Sequence, residues 1–101
     1  MNKNMIRQAQ QLQQKMAKVQ EELESATVES SSGGGMVKAV VTGKQTIASI
    51  TIDPQAVAPE DVELLEEMVM AAVNEGLQKA QDLASQKMSA ITGGLNIPGL
   101  G

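Results

Sequence analysis

Ser32 to Pro54 reads SGGGMVKAVVTGKQTIASITIDP, and the fold is decided in this stretch. Met36 to Thr42 alternates, with Val37, Ala39 and Val41 on one face and Lys38 on the other. That period of two belongs to a strand with one buried side. Thr46 to Ile52 alternates again and groups Ala48, Ile50 and Ile52. Between the two runs, Gly43-Lys44-Gln45 is short enough only for a hairpin. Upstream, residues 27–32 form an extended stretch entering the Gly33-Gly34-Gly35 turn. Downstream, Asp53-Pro54 stops the last strand, because proline has no N–H to donate to a ladder. The spacing predicts an antiparallel meander with strands over 27–32, 36–42 and 46–52.

Helical periodicity flanks the meander on both sides. Residues 2–26 are rich in Gln, Lys, Ala, Leu, Met and Glu and contain neither Gly nor Pro. Apolar residues fall at Met5, Ala9, Leu12, Met16, Val19 and Leu23, a heptad seam with alternating steps of four and three. A second helical region runs over 59–92, opened by Pro59 and the acids Glu60, Asp61 and Glu63, which suit a helix start. Gly76 is the position at which this region would divide in two. Residues 95–101 hold Pro98 and two glycines and read as a flexible tail after a single domain over 1–94. The class is α+β in the order α-β-β-β-α.

A helix of 25 residues is roughly 37 Å long, whereas a seven-residue strand is about 23 Å. The first helix therefore overhangs the sheet, and its seam of Met5, Ala9, Leu12, Met16, Val19 and Leu23 needs a cover. A second copy supplies one most simply, so a two-fold homodimer is expected with that seam as its interface.

Composition removes most chemistry. The chain has 101 residues with no cysteine, histidine or aromatic side chain. Thiolate metal sites, histidine-ligated zinc, the serine–histidine arrangement and cysteine nucleophiles are all excluded. No apolar run is long enough to span a bilayer. A phosphate-binding loop is also excluded, since Gly43-Lys44 is followed by Gln45 and Lys38 stands where the motif needs its first glycine. The acids Glu60, Asp61, Glu63, Glu66 and Glu67 lack a turn-building glycine and complement a helix dipole rather than a metal ion. The expectation is a cytoplasmic, non-catalytic protein with no metal, cofactor, small-molecule substrate or membrane partner.

Charge is distributed unevenly. Residues 1–20 carry Lys3, Arg7, Lys15 and Lys18 and no acid, a balance of four positive charges. Residues 21–101 carry the other four basic groups and all twelve acids, a balance of eight negative charges. On a helical wheel, Arg7, Lys18 and Lys15 lie at about 40°, 60° and 120° from Lys3, with Gln14 and Gln11 between them. The apolar seam lies at about 140° to 240° on the same wheel. Lys and Arg supply phosphate contacts, and Gln can bond to phosphates or base edges, so the stripe is a candidate DNA face. A solvated helix face accounts for the same pattern, as does an arm that clamps protein segments.

Taken in order, the segments carry a resemblance. MIRQAQQLQQKMAKVQEELE (5–24), the meander above, LEEMVMAAVNEGLQKA (65–80) and QKMSAITGGLNIPGLG (86–101) together resemble the YbaB/EbfC family of bacterial nucleoid-associated proteins. The resemblance implies a tweezers-like homodimer whose protruding helices bind double-stranded DNA and organise the nucleoid or modulate transcription. It also implies DNA contacts from Lys3, Arg7, Lys15 and Lys18 on the first helix, and from Lys79 and Lys87 on the last.

Overall fold

The computed structural model describes residues 2–92; the tail expected over 95–101 lies outside them. The elements follow the order α1 (Lys3–Ser25), β1 (Thr27–Ser32), β2 (Val37–Thr42), β3 (Ile47–Ile52) and α2 (Val62–Thr92). Two single 3-10 turns, Pro54–Ala56 and Pro59–Asp61, link β3 to α2. The fold is α+β, as its alternations and periods require.

Local chemistry explains the element ends. Asn2 caps α1, its side-chain oxygen accepting the Met5 N–H at 2.8 Å. Asp53 accepts the Gln55 N–H at 2.9 Å and so starts the first 3-10 turn. Between β1 and β2 the chain reverses through Gly33, Gly34 and Gly35, whose φ angles of 61°, 66° and 91° favour residues without a Cβ.

The strands form one antiparallel sheet in the order β1-β2-β3. Thr27 pairs with Thr42 and Ser32 with Val37 at the ends of the first ladder, and Val37 with Ile52 and Ala39 with Ile50 in the second. An irregularity at Val40/Val41 then brings Ile47 opposite Val41. Ile47 thus takes the place beside Ile50 and Ile52 that strict alternation assigns to Ala48, because a bulge shifts the period by one.

α2 lies antiparallel to β1 across the inner face. Ser30 Oγ donates to the Ala72 carbonyl at 2.6 Å, and the Ser32 hydroxyl donates to the Met68 carbonyl. Two strand residues advance about 6.7 Å and four helical residues about 6.0 Å, so successive inward serines meet successive helix turns. These bonds draw the helix close. Ala72, Gly76 and Ala80 are buried along its inner line. A Cβ on Gly76 would stand 2.7 Å from Val41 Cγ2 and 2.8 Å from Ser30 Oγ.

The helix is therefore unbroken at Gly76, contrary to the division that propensity suggests there. Glycine in a helix costs about 1 kcal/mol relative to alanine, and here the missing side chain is what admits the sheet. The core beneath is Val37, Ala39 and Ala72 with Leu65, Met68 and Val69 packed on it. Cover stops short of the last strand: the inner-face residues Ile47, Ile50 and Ile52 remain 43%, 40% and 37% exposed.

Both helices run past the sheet, giving a molecule 69 Å long and 25 by 16 Å across. Gly76→Val should be strongly destabilising, by about 3 kcal/mol or more, since overpacking adds to the Cβ clash. Gly34→Ala, with nothing within 4 Å of the new atom, should cost only the left-handed strain of about 1–2 kcal/mol. Urea unfolding of both variants at equal concentration checks the ranking; equal losses would mean that the helix does not approach the sheet so closely.

Candidate nucleic-acid interface

The end of α1 docks on the sheet while its beginning projects from it. Val19 and Leu23 are buried within the chain. Leu23 covers Gly43, where an added Cβ would come within 2.7 Å of Leu23 Cδ2. Lys44 in the β2–β3 turn donates a hydrogen bond to the Gln20 side chain, and Lys87 pairs with Glu22 at 3.2 Å. Farther out, Leu12 shares a groove wall with Ile91. Rising numbers on α2 meet falling numbers on α1, so the two helices form an antiparallel arm.

The stripe of Lys3, Arg7, Gln11, Gln14, Lys15 and Lys18 lies exposed along this arm. Among the described residues, Lys3, Arg7, Lys15 and Lys18 have no ion-pair partner. Gln11, Gln14, Lys15 and Lys18 line one shallow surface, and Lys15 and Lys18 meet Lys87 across the groove between the helices. Lys87 joins the cationic face although Glu22 takes part of its charge. Lys79 lies apart from that face. Its ammonium donates to the Glu29 carbonyl at 2.9 Å and pairs with Glu75 at 3.2 Å, beside β1.

Five of the twelve acids stand at the other end, whereas Glu21, Glu22 and Glu24 follow the stripe on α1 itself. Glu60, Asp61, Glu63, Glu66 and Glu67 surround the start of α2, which lies by the β1–β2 turn, whereas the arm leaves from the β2–β3 turn. From Glu63 to Lys87 the helix rises roughly 36 Å. Screening at physiological salt acts over about 8 Å, so the acidic end does little to the potential at the arm.

Comparison with known proteins agrees with this geometry. Residues 1–95 match the family model described as the YbaB/EbfC DNA-binding family. The chain belongs to that family. Relatives named nucleoid-associated protein include one from Syntrophobacter fumaroxidans, 55% identical over 97 residues and covering 96% of this chain and 88% of the relative. Another, from Pelotomaculum thermopropionicum, is 56% identical over 96 residues, covering 95% of this chain and 91% of the relative. The fold also resembles the crystal structure of an uncharacterized Helicobacter pylori protein, with TM-score 0.65 and 23% identity, over 77% of this chain and 90% of that one.

Within this YbaB/EbfC chain the heptad seam is divided. Val19 and Leu23, expected at a dimer interface, are covered inside the protomer, because α2 and the β2–β3 turn reach them. Leu12 is half-buried, whereas Met5, Ala9 and Met16 remain exposed. Lys44 was not among the expected residues, yet it anchors the root of the arm; its partner is 24 residues away and no local pattern marks it.

Leu23→Asp should unfold the protein, since an unpaired charge at a buried position costs several kcal/mol. Met16→Asp, at a position 39% exposed, should leave the far-UV circular dichroism and melting temperature of the protomer nearly unchanged. Equal damage by both would mean that the outer seam is covered as fully as the inner one.

Proposed function

We propose that this protein binds duplex DNA as a nucleoid-associated protein, through the cationic face of the arm, and in doing so organises the nucleoid or modulates transcription. The observation that carries the reading is the stripe of Lys3, Arg7, Lys15 and Lys18, exposed, without ion-pair partners among the described residues, and set apart from the acidic end of the molecule. Family membership supports it, as do the relatives named nucleoid-associated protein. Four cations per arm neutralise up to about four phosphates, so log K should fall with log salt at a slope of about −0.9 per contact. Side chains of Lys and Gln without an aromatic wedge favour backbone contacts, and sequence preference should be weak.

Homodimerisation belongs to the same reading. On the inner side of β3, Ile47, Ile50 and Ile52 stay uncovered, and Val57, Val62 and Leu64 are exposed on the segments that follow. An apolar patch next to an unpaired strand edge invites association. A second copy placed there by a two-fold axis leaves both arms projecting and doubles the cationic surface.

Arg7→Glu with Lys18→Glu should abolish duplex binding in a gel shift while leaving the melting temperature unchanged. Lys38→Glu with Lys79→Glu removes equal charge away from the arm and should retain binding. If the second pair abolishes binding and the first does not, the site lies on the body. Binding that survives between 50 and 200 mM salt without loss points instead to an arm that clamps protein.

Sedimentation of the wild type at micromolar concentration should give twice the chain mass, and Ile50→Asp should give the mass of one chain. A wild-type monomer at that concentration overturns the dimer; a dimer unaffected by Ile50→Asp moves its interface elsewhere.

A further inference from the structure

Toward the root of the arm the two helices bound a cationic groove of roughly 260 Å³. Lys15, Lys18 and Glu22 line it from α1 and Lys87 from α2, with Val19, Ala90 and Ile91 as its apolar floor. Steps of three and four put Lys15, Lys18 and Glu22 on neighbouring turns of one helix flank. Lys87 reaches the groove from a position 65 residues beyond Glu22, which holds its ammonium at 3.2 Å. Lys3 and Arg7 stand on α1 alone; here cations of both helices line one concavity. We infer, on the reading of the arm as the DNA face, that this groove seats one phosphate of the duplex and that Glu22 holds Lys87 back from it until the phosphate arrives.

Charge and position point to that arrangement. Three ammonium groups and one carboxylate leave the groove with two positive charges, enough to attract an anion while Glu22 is still in place. Lys15 and Lys18 are exposed and have no ion-pair partner among the described residues, so they meet a phosphate first. The side chains of Lys87 and Glu22 are 31% and 43% exposed, which leaves their pair within reach of an incoming anion. An exposed pair is a weak restraint, shifting an equilibrium by about fivefold at most. A phosphate lying between Lys15 and Lys18 offers Lys87 a second anionic oxygen, and the ammonium changes partner without losing a charge-assisted hydrogen bond. Val19 is buried beneath them, and an apolar floor strengthens each charge contact above it.

Fluorescence-anisotropy titration of a short mixed-sequence duplex at about 100 mM salt provides the first test. Glu22→Gln should tighten binding about threefold by releasing Lys87. Glu24→Gln removes the same charge from the opposite flank of that helix and should change affinity far less. Lys87→Met should weaken binding about threefold in the wild-type background. In the Glu22→Gln background the loss should be about eightfold, the worth of one phosphate contact at that salt, with a salt slope shallower by about 0.9. The gain from Glu22→Gln should therefore vanish when it is combined with Lys87→Met. Melting temperatures of these surface variants should stay near that of the wild type; if Lys87→Met melts early, Lys87→Gln replaces it.

A gain that persists in the double variant, or that Glu24→Gln matches, reduces Glu22 to general charge repulsion and overturns its hold on Lys87. Binding indifferent to Lys87→Met, while Arg7→Glu with Lys18→Glu still abolishes it, overturns the phosphate seat and leaves the arm as the DNA face. A wild type that binds no duplex overturns both.

Millimolar inorganic pyrophosphate at constant ionic strength provides the second test. It should leave the wild-type melting temperature unchanged, since the groove is open and the rest of the stripe is needed to keep a strand in place. A rise that Lys87→Met removes would assign the groove to free phosphate and overturn the duplex as its occupant.

Discussion

The structure depends on the distance between α2 and β1. Ser30, buried on the inner face, donates to the Ala72 carbonyl at 2.6 Å, and a helix held that near has no room for a side chain one turn later. Gly76 fills that position, with Val41 and Ser30 where its Cβ would be. Ala72 and Ala80 extend the small surface a turn in each direction. The bond satisfies a hydroxyl donor that burial would otherwise strand, and its acceptor is a helix carbonyl with a spare lone pair. Packing of the two layers thus offsets the poor helix propensity of glycine.

From that contact follows the direction of everything else. A helix seated on β1 and β2 and unbroken at Gly76 continues past the sheet, where Lys87 meets Glu22 and Ile91 comes alongside Leu12. The arm is the part of each helix that the sheet is too short to cover. Its cations run along the flank of α1, with Lys15 and Lys18 at the edge of the groove toward Lys87, because the inner side carries Val19 and Leu23. The acids at the start of α2 lie several screening lengths away. A net charge of −4 is therefore compatible with a face that attracts phosphate.

The same seating leaves β3 uncovered. With no Phe, Tyr or Trp in the chain, the core is made from small and branched aliphatic side chains, and one helix of that kind spans two strands. Ile47, Ile50 and Ile52 form the remainder of the inner face. A domain of this size buries a modest fraction of its surface, so an aliphatic face left open is a substantial share of what it has. Association through that face would complete the layer that α2 begins.

Local patterns were legible in the sequence. Alternation marked β2 and β3, glycine and proline marked their ends, and the steps of four and three marked α1. The basic stripe could be placed opposite the apolar seam because both lie on one helix, whose angles follow from residue number. Pairings between distant residues were not legible. Whether Gly76 breaks a helix or lets a sheet approach depends on Ser30 and Val41, which no window around Gly76 contains. Lys79 and Lys87 have the same composition as the stripe, yet Glu29, Glu75 and Glu22 engage them. Val19 and Leu23 continue the seam of Met5 and Met16, but only the first two meet the body of the fold. Periodicity determines which face a residue occupies on its own element; tertiary structure decides what lies against that face, since the partner is as many as 65 residues away along the chain.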